Sequence, residues 1–185
     1  MIVALSGKKG SGKTSAANHL VKRSGFQKIS FSTALKDMAK YIFPQFTEDM
    51  INGSTKEVSQ SFLNGGGTPR EFLEKLGQFM RYWDKDYWIQ PLNKIIQSNP
   101  NQNYVCDDCR FPNEVEFFRS LGGTIVRINR YPSQNPYKED SSSPSEISLD
   151  NYKFDYVVNE CDNVSLFDLN TSMQNVLEVV RNKNV

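Results

Sequence analysis

Eight residues near the N-terminus carry the strongest chemistry in the sequence. Gly7-Lys8-Lys9-Gly10-Ser11-Gly12-Lys13-Thr14 fits G-x-x-x-x-G-K-[ST] at every fixed position. Glycines at such spacing let successive backbone N–H groups turn inward around an anion. A helix N-terminus directly after the loop adds its dipole. The expected phosphate cradle comprises Gly7, Lys9, Gly10, Ser11, Gly12, Lys13 and Thr14. Lys13 would reach the outer phosphates of a nucleoside triphosphate, ATP in this reading, and the Thr14 hydroxyl would ligate Mg²⁺. A glycine-rich surface turn is the competing explanation. The apolar run Ile2–Ser6 before the loop and the helical pattern after it argue for the phosphate loop.

A second acidic feature could serve the same ion. Asp107 and Asp108 follow the short apolar run Tyr104-Val105-Cys106, where a phosphate-loop protein places the carboxylate that holds Mg²⁺ through water. Asp107 is the candidate beside Thr14, although the residues alone do not divide the roles of the two aspartates. Arg70, Arg110, Arg127 and Arg130 stand at helix starts, strand ends or loop edges, where guanidinium forks can gather phosphate charge. Solvated surface arginines would look the same in sequence. Cys106-Asp107-Asp108-Cys109 is formally C-x-x-C, but zinc would want about four ligands, and only Cys161 and His19 remain to supply them. Two incidental cysteines beside a strand end are the simpler reading. Phe79, Tyr82, Trp83 and Trp88 could stack on a base, yet aromatic residues at helical spacing usually serve a core.

These residues need a frame. Ile2–Ser6, Phe26–Ser32, Tyr104–Cys106, Thr124–Ile128 and Tyr156–Val158 read as strands. Lys13–Ser24, Thr33–Phe43, Pro112–Leu121 and Leu166–Arg181 read as helices, with one or two short helices between Glu48 and Leu63. Gly65-Gly66-Gly67 reads as a flexible joint. Thr68-Pro69-Arg70-Glu71 is a helix start with cap, first-turn proline and capping box, and it opens an apolar face of Phe72, Leu73, Leu76, Phe79 and Met80. A further helix is expected to hold Trp88, Leu92, Ile95 and Ile96, and Tyr131–Pro144 reads as a mobile loop. Alternating strands and helices imply an α/β fold with a parallel sheet covered on both faces.

Composition narrows the class. The chain has 185 residues, 38% hydrophobic and 23% charged, so it suits one globular domain. No apolar run reaches the ~18 residues of a membrane span, and no basic stretch precedes the first apolar run as in a signal peptide. Twenty-two basic against 21 acidic residues give a net charge of +1, which speaks against a nucleic-acid partner. Three cysteines, an odd number, fit a reducing cytoplasm. A single His rules out a His-rich metal site within the chain.

Three segments beyond the phosphate loop resemble the bacteriophage-type deoxynucleoside monophosphate kinases. Thr68–Gly77 resembles that family's T-P-R-E-x-L-Q-x-x-G helix, and Asp108–Glu114 its D-x-R-F-P-N-E segment. Ser145-Glu146, Phe154-Asp155 and Asn159 resemble its S-E … F-D … N tail. The likeness spans nearly the whole chain. It implies a P-loop, nucleoside-monophosphate-kinase-like three-layer fold in a single domain. Its core would be 1–32, 103–130 and 152–185, with a helical acceptor-binding region at about 33–100 and a lid loop at about 130–146. It implies ATP, Mg²⁺ and a deoxynucleoside 5′-monophosphate as small-molecule partners, in the cytoplasm, or that of a host if the protein is viral. The assembly stays open between monomer and homodimer. Arg70, Gly77, Gln78 and Trp88 would line the acceptor site by this likeness. Asp108, Arg110 and Glu114 would contact the acceptor, and Lys13, Asp108, Arg110 and Arg130 would carry catalysis. Glu74 stands where the family usually has Gln, and Pro144 where a His often precedes Ser-Glu. A kinase of another small acceptor is the first alternative. A nucleotide-dependent switch or nucleic-acid-binding module is the second.

Overall fold

The computed structural model describes residues 1–130, 143–160 and 166–183. Ile2–Ser6 forms β1 and is buried at every position, as a strand covered on both faces must be. The other strands are β2 (Gln27–Ile29), β3 (Tyr104–Cys106), β4 (Thr124–Arg130) and β5 (Tyr156–Glu160). All pairings are parallel, in the order β2-β3-β1-β4-β5. Val3 lies opposite Val105, and Leu5 opposite Val126. Parallel neighbours need crossovers, and these are helical: α1 (Lys13–Ser24) leads from β1 to β2, and α6 (Pro112–Ser120) leads from β3 to β4. The two connections run in opposite directions across the sheet. Right-handed crossovers of opposite direction cover opposite faces.

One face carries the main core. Val3, Leu5, Val105 and Ile128 pack with Leu20 of α1 and with the stripe Leu169, Met173, Val176, Leu177 and Val180 of α8 (Leu166–Lys183). Val115 and Phe118 of α6 are fully buried. The connections leave β1 and β3, neighbours in the sheet, in opposite directions, and sheets of this kind bind ligands at the carboxyl ends of the strands beside such a point.

The chain divides into two compact units, one of residues 1–30 and 95–185, the other of residues 31–94. The sheet belongs to the first. The second is helical: α2 (Phe31–Ile42), α3 (Glu48–Asn52), 3₁₀ turns at Ser54–Glu57 and Asn64–Gly66, α4 (Pro69–Trp83) and the start of α5 (Ile89–Ser98). Ala39, Phe46, Ile51, Leu63 and Leu73 make its core. Aromatic edges interlock there, with ring centroids 5.2 Å apart for Phe43 and Phe72 and 5.3 Å for Phe46 and Phe62. The α4 capping box forms as expected, with the Thr68 side chain accepting from the Glu71 N–H and the Glu71 carboxylate accepting from the Thr68 N–H.

Several expectations need correction. The strand expected over Phe26–Ser32 is only three residues long, because Ser30 turns its hydroxyl to Asp108 and the buried Phe31 already opens α2. The glycine run at 65–67 contributes to a 3₁₀ turn rather than an open joint, closed by the Gly66 N–H on the Leu63 carbonyl. Trp88 precedes its helix. Phe79 is 58% exposed and packs edge-on against the exposed Trp83, because the helical core ends at Leu73 and Leu76. Pro144–Ile147 is a short helix, α7, where a loop was expected, and residues 131–142 of that loop lie outside the described residues.

Candidate active site

The phosphate loop sits between β1 and α1. Gly7 has φ +148, and a Cβ there would stand 2.3 Å from the Ile128 carbonyl oxygen, so only glycine lets the loop leave β1 this close to β4. Lys13 folds back over the loop and donates to the carbonyls of Gly7 (2.6 Å) and Lys8 (2.7 Å). Its ammonium is buried, and its pKa falls to about 7. Desolvation is the main cause, and the charges of Arg110 and Arg127 add to it against the opposing pull of Glu146 and Asp107. The Ser11 hydroxyl is buried in the loop without a hydrogen-bond partner among the described residues.

The two aspartates separate cleanly. Successive residues leaving a strand point to opposite sides. Asp107 turns to the phosphate loop, where its Oδ2 accepts from the Thr14 hydroxyl at 2.9 Å and lies 2.6 Å from the Lys28 ammonium. Asp108 turns to β2 and accepts from the Ser30 hydroxyl at 2.6 Å and the Cys106 thiol at 3.2 Å. Thr14 and Asp107 therefore offer a hydroxyl and a carboxylate side by side, an oxygen-only set of the kind Mg²⁺ prefers when phosphates and water complete its shell. No group of three or more His, Cys, Asp or Glu among the described residues could hold a metal by itself. Cys106 and Cys109 are buried, and burial pushes both thiols up, aided by the nearby charge of Asp108 on Cys106 and of Glu114 on Cys109. They are inert structural residues in this state.

Arg110 follows on the same connection. The buried Glu114 carboxylate accepts from the backbone N–H groups of Arg110 (2.7 Å) and Phe111 (3.2 Å), which fixes the turn that presents the guanidinium. Glu114 thus positions Arg110. The Arg110 guanidinium bonds the Ser145 carbonyl at 3.3 Å and the Glu146 carboxylate. Arg130, ending β4, donates to the Gly10 carbonyl of the phosphate loop at 3.2 Å. Arg127 is buried against Asp150 at 2.9 Å and lies over the Phe154 ring, and the same Asp150 stands 3.5 Å from the ammonium of Lys8 in the loop.

The remaining candidates lie in the helical unit. Arg70 on α4 bonds Glu57 and stands 3.8 Å from Glu74. Gln78 is exposed on the same helix. Gly77 is buried, and its carbonyl accepts the indole N–H of Trp88 at 3.2 Å. Trp88 is only 3% exposed, so this pair fixes the turn onto α4 and leaves Arg70 and Gln78 as the polar side chains. Sequence reasoning gave no role to Lys28, Ser30 or Glu146. Lys28 and Ser30 flank the end of β2, the neighbour of β3, and only the strand order reveals them. Glu146 belonged to a matched dipeptide without an assigned role.

No protein-family model matches the chain. A protein of Acanthamoeba polyphaga mimivirus, provisionally named a deoxynucleotide monophosphate kinase, is 31% identical over 166 residues, covering 83% of this chain and 84% of that one. Shikimate kinase from Aquifex aeolicus superposes with a TM-score of 0.53 at 14% identity, covering 96% of each chain. Dephospho-CoA kinase from Campylobacter jejuni does so at 0.52 and 11%, covering 97% of this chain and 96% of its own. A five-stranded parallel sheet with a phosphate loop after its central strand and an acidic strand end facing that loop give the chain the fold of the P-loop kinases it superposes on. By its viral relative, the chain belongs to the deoxynucleotide monophosphate kinase family. No described helix is long and apolar enough to cross a membrane.

Proposed function

We propose that this kinase moves the γ-phosphoryl group of ATP onto the 5′-phosphate of a deoxynucleoside monophosphate. The observation that carries the reading is the Asp108–Glu114 connection. A buried carboxylate there spends itself on fixing the backbone of Arg110, so the chain invests in aiming one guanidinium toward the phosphate loop. A guanidinium fork suits an acceptor that is itself a phosphate. An acceptor phosphate is ionised at neutral pH and needs no strong general base. Catalysis then rests on positioning and charge neutralisation by Lys13, Arg110 and Arg130. Mg²⁺, held by Thr14 and through water by Asp107, would neutralise charge on the donor phosphates. We assign Arg70 and Gln78 to the acceptor, Asp108 to the ordering of the β3 end, and Gly77, Trp88 and Glu114 to holding these residues in place.

With ATP and Mg²⁺, the protein is expected to convert at least one of dTMP, dGMP and dCMP to its diphosphate. Turnover of none of these, beside rapid turnover of a non-nucleotide acceptor, would overturn the proposal. A proton balance gives a second check. Near pH 8 the empty protein holds Lys13 largely neutral, since its pKa is about 7. A bound triphosphate places several negative charges beside that nitrogen and raises its pKa. With the donor as its Mg²⁺ complex, whose terminal phosphate is already ionised at both pH values, binding therefore takes up ~1 proton at about pH 8 and almost none at about pH 6. Calorimetry in two buffers of different ionisation enthalpy measures this. Equal uptake at both pH values would contradict the placement of the phosphates on Lys13.

A further inference from the structure

One carboxylate occupies ground that a phosphate would need. Glu146 stands on α7, and its Oε2 accepts the backbone N–H of Lys9, inside the phosphate loop, at 2.7 Å. Its Oε1 takes the Arg110 guanidinium, which also bonds the neighbouring Ser145 carbonyl at 3.3 Å. The side chain is 14% exposed. Desolvation favours its neutral form, but the charge of Arg110, the bonds from Lys9 and Arg110, and the charge of Lys13 outweigh this and hold the carboxyl below its ordinary pKa. An ionised carboxylate thus collects one backbone donor of the loop, the key guanidinium and the field of the loop lysine. On the proposed function the donor phosphates would call on the loop donor and the lysine, and the acceptor phosphate on the guanidinium.

We propose that Glu146 is an internal stand-in for phosphate, which keeps Arg110 docked on the loop until the nucleotide displaces it. The proposal rests on the reading that the loop takes the donor phosphates. A single N–H cannot serve two anions at full strength, and a carboxylate beside a triphosphate meets strong like-charge repulsion in a partly desolvated place. Seating of Glu146 and seating of the phosphates therefore compete. Two consequences follow. Donor affinity is reduced by the fraction of molecules in which Glu146 is seated. Displacement of Glu146 also removes the Arg110 counter-charge, so the guanidinium becomes available to an acceptor phosphate only once the donor is bound. The order of binding is then set by the chain's own charges.

The test uses the whole protein and inorganic tripolyphosphate without Mg²⁺, which reports on the loop apart from base, sugar and catalysis. Glu146→Gln keeps the shape and removes the charge. It is expected to tighten tripolyphosphate binding by roughly 3- to 10-fold, the scale of the net worth of one hydrogen bond. Glu146→Ala should tighten it at least as much. Lys13→Ala, measured in parallel, should weaken it. Thermal unfolding of each empty variant confirms that it is folded. Unchanged or weaker binding in both Glu146 variants, with Lys13→Ala still weakening it, would overturn the stand-in role and leave the phosphate site intact. No effect of Lys13→Ala would overturn the reading of the loop itself.

Discussion

Lys13→Ala is expected to lose most turnover while the protein stays folded. The ammonium now caps the Gly7 and Lys8 carbonyls, a resting position from which it can turn to the phosphates. Its attraction grows as charge builds between the β- and γ-phosphates in the transition state, so its loss should appear in kcat more than in donor binding. A fall in kcat beyond about 10-fold, or ~1.4 kcal/mol of barrier, is the expected scale. Stability should change little. A lysine whose pKa drops from 10.5 unfolded to about 7 folded binds fewer protons in the native state. That term opposes folding fully below about pH 7 and fades as pH rises toward 10.5, so removing the lysine relieves a burden at neutral pH and offsets the lost carbonyl bonds. Steady-state kinetics and a thermal melt of the same sample check both halves. Retention of more than about a tenth of kcat would contradict the role.

Arg110→Lys should cut kcat/KM for the acceptor by ~10-fold or more, and Arg70→Lys should do likewise. A lysine keeps the charge but not the planar fork that binds two phosphate oxygens at once. Donor affinity should move much less in Arg70→Lys, because the donor phosphates rest on the loop, and in Arg110→Lys it should hold or rise, because a lysine seats Glu146 less firmly. The opposing account makes both arginines structural. Arg110 would then serve only Glu146, and Arg70 only Glu57 and Glu74. On that account the variants would melt earlier and keep their acceptor kinetics. Measuring kcat/KM, donor affinity and Tm together separates the two.

The parts legible in the sequence are those built from contiguous residues. The phosphate loop carries its own strand, turn and helix within residues 2–24, and the α4 start declares its cap within four residues. The division of Asp107 from Asp108 was illegible, because it depends on Lys28 and Ser30, about 80 residues earlier, brought alongside by the β2–β3 pairing. Glu146 meets Lys9 across 137 residues, and nothing local announces it. Trp88 shows the reverse difficulty. An aromatic residue near an expected acceptor helix invites a stacking role, yet its indole is buried on the Gly77 carbonyl. The short β2 reflects competition between extended chain and the Ser30–Asp108 bond, which local alternation does not record.

The central claim is that the accepting group is the phosphate of a deoxynucleotide. The most direct measurement follows the label from γ-³²P ATP in the presence of Mg²⁺ and a mixture of dTMP, dGMP and dCMP, with products separated and degraded to locate the labelled phosphorus. The account predicts label in the β-phosphate of at least one deoxynucleoside diphosphate, and its loss in Lys13→Ala. Label that stays in ATP and inorganic phosphate with these acceptors, but passes readily to the hydroxyl of a non-nucleotide acceptor, would contradict it.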